Sequence, residues 1–154
     1  MGYDVHRLVE GLPLWLGGVM IPYNAGLQGH SDGDVILHAI ADALLGAVGE
    51  SDIGSHFPDD DPTYEGVASA SLLARVRDIV SERGFAVNNV DAVLLAERPK
   101  IAPYVDAMRR RISEILRIGP GDVSIKATTN EGLGFTGRGE GMAAYAVASV
   151  IPVP

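Results

Sequence analysis

The chain has 154 residues, 47% of them hydrophobic and 21% charged, with a net charge of −8 and no cysteine. That size suits one domain, residues 1–154, with a modest core. The composition excludes disulfides and thiolate metal ligands, argues against a nucleic-acid binder, which leans on clustered Lys and Arg, and offers no run long enough to span a bilayer.

Nothing resembles a signal or transit peptide, so a cytoplasmic protein with no membrane partner is expected. "GYDVH" (2–6) begins like a short strand, and "PLWLGGVMIP" (13–22) reads as strand and turn, broken at Gly17-Gly18. "DVILHAIADALLGAV" predicts a helix from Asp34 to Val48, ended by Gly49 and capped by Asp32 or Asp34. Residues 50–66, rich in Pro, Gly and Asp, read as a loop. An amphipathic helix follows over 67–84, closed by Gly84. Then come a strand over 87–97 stopped by Pro99, a helix over 102–118 opened by Pro103, a strand over 122–129, a glycine-rich stretch and a last strand over 142–151. The expected class is α/β, an α+β sandwich with a mixed sheet covered by helices on one face.

Gly132, Gly134 and Gly137 spell G-x-G-x-x-G, the pattern of dinucleotide-binding turns. Context rejects that reading. A Rossmann site needs a following helix, a second strand and an acid about 20 residues on. Here 22 residues remain after Gly132, they read as a strand, and no Asp or Glu follows Glu140. The glycines instead allow a tight turn or a close approach of backbone. A plain hairpin turn needs few residues, yet this one holds Thr128, Thr129, Glu131, Thr136, Arg138 and Glu140.

Charge is unevenly distributed. Residues 1–62 hold ten acids, all four histidines and one basic residue, Arg7. On charge alone a solvated acidic face is the simpler reading, and a metal site is the other. Asp4 and His6, at i and i+2, share one face of a strand. On the 34–48 helix, apolar nearly all round, Asp34, His38 and Asp42 form a single polar stripe that needs partners if buried. Two readings stand: His38 joins Asp4 and His6 around a metal with an open position, or it is a core histidine paired to Asp34 or Asp42. One carboxylate and two imidazoles suit zinc and also non-haem iron. "GHSDGD" (29–34) and "SDIGSHFPDDDP" (51–62) add further acids, which capping and turn formation explain only in part.

Together these pieces resemble the 2-C-methyl-D-erythritol 2,4-cyclodiphosphate synthases. The matching segments are D-V-H at 4–6, H-S-D-G-D at 30–34, H-A-x-x-D-A-L-L-G-A at 38–47, D-I-G-x-x-F-P-D at 52–59, P-K at 99–100 and K-A-T-T-x-E-x-L-G-F-T-G-R-G-E-G at 126–141. Each alone is weak; in this order and spacing they are specific. The resemblance implies a lyase of the non-mevalonate route to isoprenoids. It takes 4-diphosphocytidyl-2-C-methyl-D-erythritol 2-phosphate, releases CMP and closes a cyclic diphosphate. It also implies a homotrimer whose sheets surround the three-fold axis, with active sites between neighbouring subunits.

Carried over residue by residue, the resemblance implies that Asp4, His6 and His38 bind Zn²⁺, with Val5 in the same substrate-binding segment. His30 and Ser31 lie over the phosphates, and His30 and Thr129 are the implied catalytic donors. Asp52, Ile53 and Gly54, with Phe57, Pro58, Asp59, Asp60 and Asp61, embrace the methylerythritol. Ala96, Pro99, Lys100, Ile101 and Ala102 form the cytosine pocket. Thr128, Thr129, Asn130 and Glu131 take the diphosphate, with Glu131 holding Mg²⁺ or Mn²⁺, and Phe135 and Arg138 end that stretch. An isoprenoid diphosphate on the trimer axis would lie near Arg138 and Glu140. Three departures stand out. Only Met1, Gly2 and Tyr3 precede D-V-H, so the first strand is short or the numbering begins late. Asn130 stands where Thr is common, and Ser51 where Gly is common.

The chemistry explains the residue types. An anionic phosphate must attack an anionic diphosphate, so cations and oriented donors must offset repulsion, and positioning does most of the rest. The nucleophile is already ionised, so no strong general base is expected. Lys100 and Lys126 are candidate additional charges, although Lys126 also reads as a strand residue paired with an acid.

Overall fold

The structure, a computed structural model, describes residues 1–58, 60, 61 and 66–154. Its main sheet has five strands in the order β4-β1-β7-β5-β6. These are β1 (Gly2–Glu10), β4 (Ala25–Gln28), β5 (Phe85–Leu95), β6 (Val123–Thr128) and β7 (Gly141–Pro152). All neighbours are antiparallel except β5 and β6, so the sheet is mixed as expected. A separate hairpin, β2 (Leu14–Leu16) with β3 (Val19–Ile21), turns at Gly17-Gly18.

The strands bury one face. Cross-strand partners share a face of the pleat, and Asp4 pairs Ala144, which pairs Leu94, while Gly2 pairs Ala146, which pairs Ala92. That face is covered by α1 (Val35–Ala47), α3 (Ser69–Glu82) and α4 (Val105–Leu116). α1 lies across β1 and β7 and is buried nearly all round, with Val35, Ile36, Ala39, Ile40, Leu44 and Leu45 at the centre of the core. The opposite face has no covering element among the described residues. It presents Tyr3, Val5, Tyr145 and Val147, the last 56% exposed, and the Tyr3 and Tyr145 rings meet at 4.7 Å.

The helices over 34–48 and 67–84 match α1 and α3 to within two residues at each end. Asp34, not Asp32, caps α1, accepting the Leu37 N–H. Elsewhere tertiary pairing moved the ends. β1 runs nine residues to Glu10, because its second half pairs with β4, so the first strand is not short. β4 itself had no signal beyond four residues, AGLQ. β5 starts at Phe85, two residues early, because β7 continues to pair with it as far as Pro152. Pro103 sits in a 3-10 turn, Ala102–Tyr104, just ahead of α4. The 50–66 segment is not all loop: α2 (Ile53–His56) is one helical turn, capped by the Asp52 carboxylate on the Ser55 N–H. The glycine stretch likewise holds a single turn, α5 (Gly134–Gly137).

Candidate active site and metal centre

α1 and β1 bring three separated side chains to one point. Asp4 and His6 point from β1 to the helical face, and His38 points from α1 toward them. Asp4 Oδ2 lies 2.9 Å from His6 Nε2 and 3.0 Å from His38 Nδ1. The two ring nitrogens are 3.1 Å apart. Of the described residues, these three form the one group of His, Asp and Glu close enough to hold a metal. A tetrahedral zinc with ligands at about 2.0–2.1 Å spaces neighbouring ligand atoms about 3.3 Å apart. The observed triangle is slightly tighter, so a small outward movement of each side chain seats an ion. The donor set fits the expected metal.

Electrostatics agree. Burial opposes ionisation of Asp4, but the neighbouring His38 and His6 rings outweigh it and hold its carboxyl down at about 2. Burial also disfavours the charged form of His6, yet the Asp4 carboxylate and a bond to the Gln28 backbone push its pKa up. An anion faces two imidazoles, the arrangement a divalent cation would take over.

Neither alternative partner claims His38. Asp34 is fully buried and spends its carboxylate on backbone N–H groups: Gly17 at 2.9 Å, Gly18 at 2.6 Å and Leu37 at 3.1 Å. The left-handed backbone at Gly17 and Gly18 aims both N–H groups at it. Asp42 Oδ1 accepts from the Ile53 N–H at 2.8 Å and so fastens α2 to α1. The polar stripe predicted on α1 is real, but its three members serve three different tasks.

The triad forms part of the wall of a cavity of about 530 Å³, shared with Gln28, Gly29, His30, Ser31, Ile53, Gly54, Phe57 and Leu72. His30 and Ser31 line it together with the triad, and the α2 turn contributes Ile53 and Gly54. Asp52 is occupied as the cap of α2, holding both the Ser55 N–H and its hydroxyl. Pro58 is half-buried and Asp60 exposed beyond it. Asp59 lies outside the described residues. Val5 points to the other face of the sheet, where it lines a smaller depression with Arg7, Phe135 and Glu140.

The remaining expected residues stand apart. Thr128 pairs Leu95 at the ends of β6 and β5, and Leu95 pairs Ala143 on β7, which pairs Val5 on β1. At about 4.8 Å per strand, the 128–131 segment is roughly 14 Å from β1 across the sheet. None of residues 96–102 or 128–131 lines the triad's cavity. They form a second cluster: Ala96 and Ile101 are buried, Pro99 is half-buried, and Lys100, Ala102, Thr128, Thr129 and Glu131 are exposed. Thr129 Oγ1 donates to Glu131 Oε1 at 3.0 Å, and Asn130 Nδ2 donates to the buried Thr136 at 2.6 Å. Lys126 is paired with Asp91 at 2.7 Å, and Arg138 with Glu140 at 2.8 Å. The fingerprint glycines fold this loop on itself: a Cβ on Gly137 would lie 2.2 Å from the Gly132 carbonyl carbon.

The profile of the YgbB family matches residues 1–151. The chain belongs to the YgbB family. It is 60% identical over 149 residues to the 2-C-methyl-D-erythritol 2,4-cyclodiphosphate synthase of Pelotomaculum thermopropionicum, covering 97% of this chain and 92% of that one. A solved structure of 2C-methyl-D-erythritol-2,4-cyclodiphosphate synthase in a CDP-bound form superposes with a TM-score of 0.90 at 38% identity, covering 97% of both chains. The bifunctional IspDF of Campylobacter jejuni superposes with a TM-score of 0.93 at 42% identity; this chain spans 40% of that longer protein. The likeness read from the motifs is borne out, as is the mixed α/β fold. No sequence motif marks two residues that touch the expected site: Ser69, whose Oγ lies 2.9 Å from His38 Nε2, and Glu97, whose Oε1 accepts the Asn130 N–H at 2.9 Å.

Proposed function

We propose that this chain is a metal-dependent cyclodiphosphate synthase, a single domain over residues 1–154 acting in the cytoplasm as a homotrimer. The 2-phosphate oxygen of 4-diphosphocytidyl-2-C-methyl-D-erythritol 2-phosphate attacks the β-phosphorus. The bond from that phosphorus to the oxygen bridging the α-phosphate breaks, CMP leaves with that oxygen, and the cyclic diphosphate is closed. The observation that carries this reading is the Asp4, His6 and His38 triangle, 2.9–3.1 Å on each side, in the wall of a cavity that His30 and Ser31 share.

Asp4, His6 and His38 would hold Zn²⁺, which when bound supplies Lewis acidity to the β-phosphate. His30 and Ser31 lie beside that position and donate to phosphate oxygens. Asp52, Ile53, Gly54, Phe57, Pro58, Asp60 and Asp61, with Asp59, enclose the methylerythritol. Ala96, Pro99, Lys100, Ile101 and Ala102 receive the cytosine. Thr128, Thr129, Asn130 and Glu131 hold the diphosphate, with Thr129 donating to it and Glu131 binding Mg²⁺ or Mn²⁺. Phe135 and Arg138 close the far end of that segment. The two clusters lie too far apart in one chain to grip one substrate. That separation supports a site shared between subunits, and the uncovered apolar sheet face around Tyr3, Tyr145 and Val147 supports packing about a three-fold axis. Arg138 and Glu140 would face an isoprenoid diphosphate on that axis.

The deciding experiment incubates purified protein with the diphosphocytidyl substrate, Zn²⁺ and Mg²⁺ and follows CMP. Stoichiometric CMP and cyclic diphosphate are expected; metal-replete protein that releases neither overturns the reading.

A further inference from the structure

We propose that Ser69 and Asp32 are positioning residues that fix the proton of His38 on Nε2 and so keep Nδ1 free to bind a cation. The inference rests on the reading of Asp4, His6 and His38 as a metal site.

A neutral imidazole has one N–H and one lone pair, and only the lone pair binds a metal. In His38, Nδ1 is the nitrogen that faces Asp4 and His6. Asp4 by itself would draw the imidazole proton to Nδ1, where it would block the ligand position. The opposite side of the ring opposes this. His38 Nε2 lies 2.9 Å from Ser69 Oγ. Ser69 is 1% exposed, and its hydroxyl donates to Asp32 Oδ1. A carboxylate accepts only, so it takes the single hydroxyl proton of Ser69. What Ser69 has left for His38 is a lone pair, and Nε2 must donate to it. The direction of the whole chain, from imidazole to hydroxyl to carboxylate, is set by Asp32.

Asp32 is anchored for this task. Its Oδ2 accepts the Ser69 N–H at 3.1 Å, and its Oδ1 accepts the Asp34 N–H at 3.2 Å. It thus sits at the start of α3, where Ala68 supplies no side-chain cap. Ser31 Oγ is 3.1 Å from the same Nε2 and 3.2 Å from Ser69 Oγ. It is the longer of the two contacts and a weaker alternative acceptor.

The test measures zinc affinity by competition with a chromogenic chelator, alongside ¹⁵N chemical shifts of the His38 ring. Ser69→Ala should lower zinc affinity about 10–100-fold and move ring protonation from Nε2 toward Nδ1. Ser69→Thr, which keeps the hydroxyl, should recover most of the affinity. Asp32→Asn keeps an acceptor for the Ser69 N–H but removes the charge that orients the hydroxyl. It should also weaken zinc binding, and it serves as the test if Ser69→Ala does not fold. Affinity within about threefold of the parent in both Ser69→Ala and Asp32→Asn, or an unchanged His38 tautomer, overturns the inference. A different outcome marks failure of the metal reading itself: parent protein whose zinc content is unaffected by His38→Ala.

Discussion

The Glu97 carboxylate binds the backbone of Asn130: Oε1 accepts its N–H at 2.9 Å and reaches the Gly132 N–H at 3.5 Å. Glu97 lies in the segment proposed to receive the cytosine and Asn130 in the one proposed to hold the diphosphate, so one side chain ties the two together. Between the two bonded N–H groups sits Glu131, whose backbone is left-handed at φ +52. That conformation costs roughly 1 kcal/mol for a residue with a Cβ, and the Glu97 clamp offsets it. Glu97→Ala should therefore cut kcat/KM for CMP release about 10–100-fold while zinc content stays intact, the scale of a lost hydrogen bond to a charged group. Glu97→Gln keeps an acceptor and should lose less than tenfold. Equal losses in the two variants, measured by steady-state kinetics, would refute the clamp.

Zinc affinity should rise with pH. The pKa of His6 lies above the ordinary histidine value because Asp4 favours its charged form, and the ring must lose its proton to bind metal. Chelator competition at pH 6 and pH 8 should show tighter binding at the higher pH, and a flat profile would contradict the proposed ligand. The metal-free protein should behave differently. Asp4, held at about 2, adds stability that is complete above its unfolded value and is lost as pH falls toward 2. The size is about 2 kcal/mol. The raised His6 adds stability below its unfolded value that is lost as pH rises through the folded one. Thermal melts of metal-free protein should peak at about pH 4–6, with the metal-loaded form displaced to higher pH.

Asp34→Ala should destabilise the fold by about 3–5 kcal/mol, since it removes a buried carboxylate and leaves the Gly17, Gly18 and Leu37 N–H groups without it. Chemical denaturation checks this. A loss below 1 kcal/mol would mean water replaces the carboxylate without cost.

Tyr145→Glu should convert the proposed trimer to monomers. It places a charge on the uncovered sheet face, 4.7 Å from the Tyr3 ring as the tyrosines now stand. Sedimentation should show the monomer, with CMP release lost and zinc retained. A stable trimer from this variant would remove the sheet face from the assembly.

The elements that the sequence foretold are those with a long single period. α1 and α3 are legible from their apolar spacing and end signals. β4 is not, because four residues of AGLQ carry no alternation and the strand exists only by pairing with β1. α2 and α5 are single turns, hidden among glycine, proline and aspartate. The metal triad was legible in part: i and i+2 on a strand share a face whatever the fold. Whether His38 joined Asp4 or paired within its own helix depended on how α1 crosses β1, which no local pattern encodes. Ser69 and Glu97 were invisible for the same reason, since each acts on a group more than thirty residues away in the chain.

The two strands that separate the Asp4–His6–His38 triad from the Thr128–Glu131 segment have a genetic consequence. In the proposed ring every junction draws its two halves from different copies. A chain crippled at His38 and a chain crippled at Glu131 are each dead alone, yet a mixed ring of both contains junctions assembled from the two intact halves. Co-expression of the two variants should therefore restore growth to a cell that neither rescues, the behaviour of alleles that complement within one gene.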